Sequence, residues 1–208
     1  MLKEVILMNE KAMYKLSYGL FVLTSCENGR DNGCIVNTVQ QVTTEPNRII
    51  VAINKNNLTH DMVMNSGKFN VSVLSENSKF DTYKHWGMRS GKDTDKLEQI
   101  EVSRSANGLV YIAGEETNAF ISASVISSQD LGTHTLFLAD VTDCEVLNDA
   151  ESATYSYYQK NIKSKPAAKT SKGFVCTVCG YIYEGDELPA DFVCPWCNHD
   201  ASYFEPVQ

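Results

Sequence analysis

Long apolar runs are missing from this sequence. No stretch of its 208 residues approaches the nonpolar length that spans a bilayer, and the first ten residues hold only four consecutive apolar side chains, Val5 to Met8. Neither a membrane span nor a secretory leader is expected. Positive charge is also scarce. Eighteen Lys and Arg stand against 26 Asp and Glu, a net charge of −8, which makes nucleic acid and anionic membrane poor partners. There is no G-x-G-x-x-G, no P-loop and no regular βαβ alternation, so a Rossmann-type dinucleotide site is not expected. Cys26, Cys34 and Cys144 lie far apart and read as small apolar filler. With 43% hydrophobic residues the chain can bury one full-sized core and carry a small appendage.

What is present is concentrated at the C-terminal end. Cys176-Thr-Val-Cys179 and Cys194-Pro-Trp-Cys197 are two Cys-x-x-Cys pairs with fourteen residues between them. Each pair can turn two sulfurs toward one atom, and two facing turns supply four thiolates in a tetrahedron. The segment is too small to be held by a core, which strengthens the metal reading. Thiolates in that role, with no leader ahead of them, suit a reducing cytoplasm. Zinc in such a cage is redox-silent, whereas iron carries one electron, and geometry alone does not separate them. Phe174, Tyr181, Tyr183, Phe192, Trp196, Tyr203 and Phe204 crowd the same segment. Such an aromatic shell excludes water from sulfur and favours iron. Phe174-Val-Cys-Thr-Val-Cys-Gly-Tyr-Ile-Tyr183 with Leu188-Pro-Ala-Asp-Phe-Val-Cys-Pro-Trp-Cys197 resembles the rubredoxin family over 173–208. The resemblance implies that Cys176, Cys179, Cys194 and Cys197 are iron ligands.

Charge divides the chain near this module. Lys163, Lys165, Lys169 and Lys172 occupy a stretch without acids, while 173–208 holds six acids and no Lys or Arg. The Lys/Ser/Ala/Pro-rich 161–172 reads as a flexible basic linker between a 1–160 domain and the 173–208 module. The acidic module is either a surface for brief docking or an ordinary solvated one.

Residues 1–160 read mainly as strands. Met8, Ala12 and Leu16 share one face of a short helix ending near Gly19. Gly19–Thr24 is a β-prone run, and Glu27–Gly33 is rich in turn formers and reads as a hairpin loop before a returning strand over Cys34–Thr43. Arg48–Asn54 is continuously apolar, as a strand buried on both faces would be. Phe69–Leu74 alternates, as a half-buried strand would. Helices are expected over Leu58–Asn65 and 76–87, and long strands over Phe120–Ser127 and Thr135–Leu147. Many strands with few helices in one core suggest an antiparallel barrel, closed or split.

Three loops are candidates for an anionic cofactor. Asn37-Thr-Val-Gln-Gln-Val-Thr43 either meets a heteroaromatic ring or forms a polar edge strand. In Asn54-Lys-Asn-Asn-Leu-Thr-His-Asp61, Asn57 or Thr59 either caps the next helix or leaves its amides for a phosphate. Arg89-Ser-Gly-Lys-Asp-Thr-Asp95, a Gly-containing loop with two basic residues, either clamps phosphate or is solvated. His134, at a strand start, is structural or meets a ring edge.

The order of Gly19–Ser25, Asn37–Thr43, Pro46, Val51–His60, Gly67–Leu74 and Thr133–Val141 resembles the FMN-binding flavin reductase family over about residues 5–150. The resemblance implies a mainly β, split-barrel homodimer with FMN near the subunit interface. It places Asn37, Thr38, Val39, Gln40, Gln41 and Val42 along the flavin ring and ribityl chain. It puts Asn54, Asn57, Thr59 and Lys92 near the phosphate, and His134 near the flavin or nicotinamide. A flavin reductase-like domain followed by a rubredoxin resembles the high-molecular-weight rubredoxins of anaerobes. That arrangement implies electrons passing from NAD(P)H through FMN to iron, then to a flavodiiron protein that reduces O2 or NO. Two other classes stay open: a free-flavin or ferric reductase, and a non-enzymatic zinc-ribbon interaction module on a flavin-storing barrel.

Overall fold

The computed structural model describes residues 10–98, 100–163, 173–177, 180–195 and 199–207. The expected linker falls largely outside these, as do Met8, Cys179 and Cys197. Strands β1 (Phe21–Glu27) and β2 (Arg30–Val36) pair down to Glu27 and Arg30. The expected loop over 27–33 therefore shrinks to Asn28-Gly29, whose φ values of 52 and 79 are the left-handed pair that a two-residue hairpin turn needs. The returning strand is broken after Val36 and resumes as β3 (Gln40–Thr44), followed by β4 (Asn47–Asn54). Helix α1 (Leu58–Ser66) leads into β5 (Lys68–Leu74), and α2 (Phe80–Gly87) is shorter than the expected 76–87. Two short strands, β6 (Ser103–Arg104) and β7 (Val110–Tyr111), precede the long β8 (Thr117–Asp130) and β9 (His134–Val146).

Seven strands form one antiparallel sheet in the order β2-β1-β5-β8-β9-β4-β3. Cys34 and Val36 of β2 share one buried cluster with Ile49, Val51 and Ile53 of β4, although four strands stand between them in the sheet. The sheet must curl to bring them together, which is the geometry of a split barrel. Bulges at Ser122/Ala123 and Val125/Ser127 lie on the long β8–β9 ladder, where such irregularities bend a strand.

Burial in two strands is the reverse of the sequence reading. β4 alternates, with Ile49, Val51 and Ile53 buried and Ile50 and Ala52 only half-buried. β5 is enclosed on both faces. Phe69 and Val71 point into the barrel, while Asn70 and Ser72 are fully buried on the other side. The segment carrying β6 and β7 covers them. Asn70 Nδ2 donates to Ser105 Oγ (2.8 Å), and Ser72 Oγ accepts from the Ile112 amide (2.9 Å). A second cluster on that outer face joins Leu20, Val22, Leu74, Tyr83, Trp86 and Tyr158. It is closed by α2 and by the helical turns at Tyr155–Tyr157 and Tyr158–Ile162.

The short N-terminal element is a 3-10 helix over Glu10–Lys15, and Ala12 and Leu16 are exposed rather than forming a buried face. Of the scattered cysteines, Cys34 fills the core as expected, Cys26 is half-buried, and Cys144 is exposed and so is not filler.

The C-terminal module is a three-stranded sheet, β11-β10-β12, of β10 (Phe174–Cys176), β11 (Ile182–Tyr183) and β12 (Phe204–Pro206).

Candidate functional site

A cavity of about 360 Å³ opens where the end of β4, the start of α1 and the loop after α2 converge. Asn54, Asn56, Asn57 and Thr59 supply one wall, and Arg89, Ser90 and Gly91 another. The 54–57 turn is locally determined. Asn54 Oδ1 accepts from the Asn56 amide (2.9 Å), and the Asn57 amide donates to Asn54 O (3.1 Å). Asn57 is extended at the α1 N-cap, and its side chain makes no capping bond. The His60 amide donates to Asn57 O (3.0 Å), which leaves the Leu58 and Thr59 amides for an outside acceptor, beside the positive end of the helix dipole.

Gly91 lets the second wall close. A Cβ there would overlap the Asn32 side chain, whose Nδ2 donates to Thr59 Oγ1 (2.9 Å).

Lys96 lines this cavity and is only 4% exposed. Its Nζ donates to Gly33 O (3.0 Å) and Trp86 O (2.9 Å). An ammonium has three protons, so one remains for an anion in the cavity. Burial pushes its pKa down, which means that a bound anion would repay part of the desolvation of the charge. Burial pushes the neighbouring Cys34 thiol up, so it stays protonated and acts as packing rather than as a nucleophile. Arg89 is oriented through His85. The His85 Nε2 donates to Lys96 O (2.6 Å), leaving Nδ1 to accept from Arg89 Nη1 (3.4 Å).

Asn54, Asn57 and Thr59 are thus brought together. Lys92 is exposed and is not among the lining residues; its amide donates to Ser90 Oγ (3.1 Å). Lys96 and Asn32 were not candidates from the sequence. Lys96 becomes visible only when Gly33, 63 positions away, is placed against it. His134 stands opposite Asn54 in the β4–β9 register, with Nδ1 2.9 Å from Thr133 Oγ1. Asn37, Thr38, Val39 and Gln40 line a separate depression of about 260 Å³ with Leu16–Gly19. Thr38 is pinned there. Its hydroxyl donates to Ala52 O (2.8 Å) and accepts from the Ala52 amide (3.0 Å). Gln40, Gln41 and Val42 are exposed on the edge strand β3, where a register shift falls between Gln41 and Thr43.

In the C-terminal module, Cys176 and Cys194 are 1% and 0% exposed and meet in one cluster with Phe204. Phe174, Tyr181, Tyr183, Leu188 and Phe192 surround them. Phe192 stands edge-on to Phe204 at 5.3 Å between ring centres. The first knuckle is closed by the Gly180 amide on Cys176 O (2.8 Å), with Gly180 at φ 82. The second is held by the Cys194 amide on His199 O (2.8 Å). Two buried thiols inside an aromatic shell fit a thiophilic metal ion. Among the described residues no three His, Cys, Asp or Glu converge.

Comparison with known proteins follows the same division. The flavin reductase like domain family matches residues 13–166. The chain belongs to this family. A second family, the rubredoxin-like domain of rubrerythrin, matches residues 174–205. A high molecular weight rubredoxin of Moorella thermoacetica is 34% identical, over 96% of this chain and 100% of its own. The ferric-chelate reductase (NAD(P)H) of Archaeoglobus fulgidus is 40% identical, over 76% of this chain and 93% of its own. Among solved structures, the NADH:FAD oxidoreductase SgcE6 of Streptomyces globisporus C-1027 aligns with a TM-score of 0.64 at 20% identity. That alignment covers 71% of this chain and 86% of that one. The flavin reductase-like barrel followed by a rubredoxin-like module is thus the architecture of the high-molecular-weight rubredoxins, and its chemistry is flavin-dependent electron transfer. No helix among the described residues is long and apolar enough to cross a membrane.

Proposed function

We propose that this chain oxidises NAD(P)H and passes the electrons through FMN to an iron ion held by Cys176, Cys179, Cys194 and Cys197. An external one-electron acceptor, such as a flavodiiron protein reducing O2 or NO, then takes them. The observation that carries this reading is the cavity itself. A buried ammonium, uncapped helix amides and an arginine stand in one cavity, and a residue of the four-cysteine module, His199, lines it too.

FMN, when bound, takes up a hydride as a pair and releases electrons singly, which is what a nicotinamide donor and a one-electron metal centre require of it. The protein's residues hold and orient. Arg89, Lys96 and the α1 amides near Asn57 and Thr59 receive the phosphate. Asn54 and His134, facing each other across β4 and β9, stand where the ring enters. Asn37, Thr38, Val39, Gln40, Gln41 and Val42 form the polar rim against which a second subunit closes. A homodimer has support from Val42 of β3, Ile126 of β8 and Leu131 of the β8–β9 turn. These exposed apolar side chains lie on one half of the sheet. Lys92, exposed on the same loop directly after Gly91, would reach the phosphate from the solvent side. Hydride transfer needs alignment and no acid or base, so no side chain is assigned proton transfer.

A visible spectrum of protein made anaerobically with iron and riboflavin supplied, taken before and after NADH, tests the reading. Flavin retained through gel filtration, iron by metal analysis, and loss of the ferric-thiolate absorption on adding NADH are expected. A ferric absorption that survives NADH in FMN-loaded protein would overturn it. A ferric reductase is the second reading, favoured by the relative from Archaeoglobus fulgidus. It requires that the chain cut at residue 172 reduce ferric chelates as fast as the full chain.

A further inference from the structure

We infer that Met88 is the seat on which the four-cysteine module docks against the flavin-binding barrel, and that this contact is where electrons cross. The second half of the inference rests on the relay proposed above; the first does not.

Met88 follows α2 and belongs to the barrel, yet its side chain packs against the cluster of Cys176, Cys194 and Phe204 in the module. A thioether is flexible and polarisable, and adapts to an aromatic shell better than a branched side chain would. Both knuckles are touched. Lys163 Nζ donates to the carbonyl of Thr177, next to Cys176 (3.2 Å). On the other knuckle Pro195, next to Cys194, closes a groove of about 580 Å³ along α2. His199 lines the cofactor cavity, and its carbonyl accepts the Cys194 amide. With the module seated on Met88, the path from the cavity to a candidate ligand sulfur is the His199 backbone, one hydrogen bond and the side chain of Cys194.

Charge supports the same seat. Residues 79–92 carry Lys79, Lys84, Arg89 and Lys92 against one acid, Asp81, while 173–208 carries six acids and no base. An apolar contact between two segments of opposite net charge suits a small, reversible electron-transfer dock. Electrons balance simply. Each crossing turns one ferric ion ferrous, and two crossings reoxidise one hydride-reduced flavin, whose proton goes to solvent. The external one-electron oxidant resets the iron between them.

Carbon-13 methionine-methyl NMR of the full chain reads the dock directly. The Met88 signal, assigned by its disappearance in Met88→Leu, should be broadened away with ferric iron bound and return in the zinc-substituted protein. A Met88 signal equally sharp in both forms would overturn the dock. In anaerobic stopped flow with NADH, Met88→Asp should slow the iron-reduction phase at least about tenfold relative to the flavin phase of the same trace, the effect of losing one central anchor. An unchanged ratio would overturn Met88 as the crossing point. If wild-type iron stays ferric while its flavin is reduced, the relay fails, and the NMR result still decides the dock.

Discussion

The two halves of this chain are closed by different materials. Inside the barrel the wholly enclosed side chains include Phe69, Phe137, Leu23 and Ile53, and burial continues on the outer face through Leu74, Tyr83 and Trp86. Among the described residues of the module the buried cluster is Cys176, Cys194 and Phe204, so two of these three are thiols. Apolar burial on the barrel's scale is enough to fold a domain, whereas a segment of some thirty residues enclosing two sulfurs is not. The barrel should therefore stand without its cofactor, and the module should not stand without its metal. The cavity proposed for the phosphate can then be tuned for anion binding at some expense of stability, because the core elsewhere carries the fold.

Metal removal should give the largest contrast. Metal binding supplies folding free energy on the order of 10 kcal/mol in comparable thiolate sites. Chelation, or Cys194→Ala, should therefore abolish ordered amide signals from 173–207 while the barrel unfolds at an unchanged denaturant midpoint. A module that stays folded without metal would break the comparison. The converse is next in size. Phe137 is buried at the centre of the barrel cluster, and Phe137→Ala should cost about 3–5 kcal/mol in urea unfolding, leaving the ferric-thiolate spectrum intact in the folded protein.

Lys96 sharpens the comparison inside the barrel. Removing a charge-assisted hydrogen bond is worth about 1.5–3 kcal/mol, so Lys96→Met should weaken FMN binding roughly 10- to 100-fold by fluorescence titration. Unchanged affinity would remove Lys96 from the phosphate site. The smallest effect is on pH. Burial lowers the Lys96 pKa from 10.5, so between the lowered value and 10.5 the unfolded chain binds more protons. Wild-type stability without FMN should accordingly rise with pH in that window relative to Lys96→Met, by denaturant titration at several pH values. A flat difference would mean that the ammonium is not desolvated.

These contrasts follow the line between what the sequence displays and what it hides. The burial of Cys176 and Cys194 among aromatics is legible because one short segment carries both kinds of residue close together. The Asn54–Thr59 turn is legible for the same reason, since Asn54 bonds to Asn56 two positions on. Lys92 and Lys96 are alike in sequence. Only the fold, which sets Gly33 O and Trp86 O around Lys96, distinguishes the buried one. The misreading of β5 has the same origin. Asn70 and Ser72 look like a solvent face until Ser105 and Ile112, more than thirty positions away, cover them. Asn28-Gly29 shows the converse: the turn is local, but the length of the strands beyond it is decided by pairing.

The central claim is that two carriers in one polypeptide exchange electrons within it. Anaerobic stopped flow with excess NADH, following flavin and ferric-thiolate absorption together over a range of protein concentrations, tests it most directly. Iron should be reduced after the flavin, in a first-order phase whose rate does not change with protein concentration. A rate that grows in proportion to protein concentration, or iron that stays ferric, would contradict it.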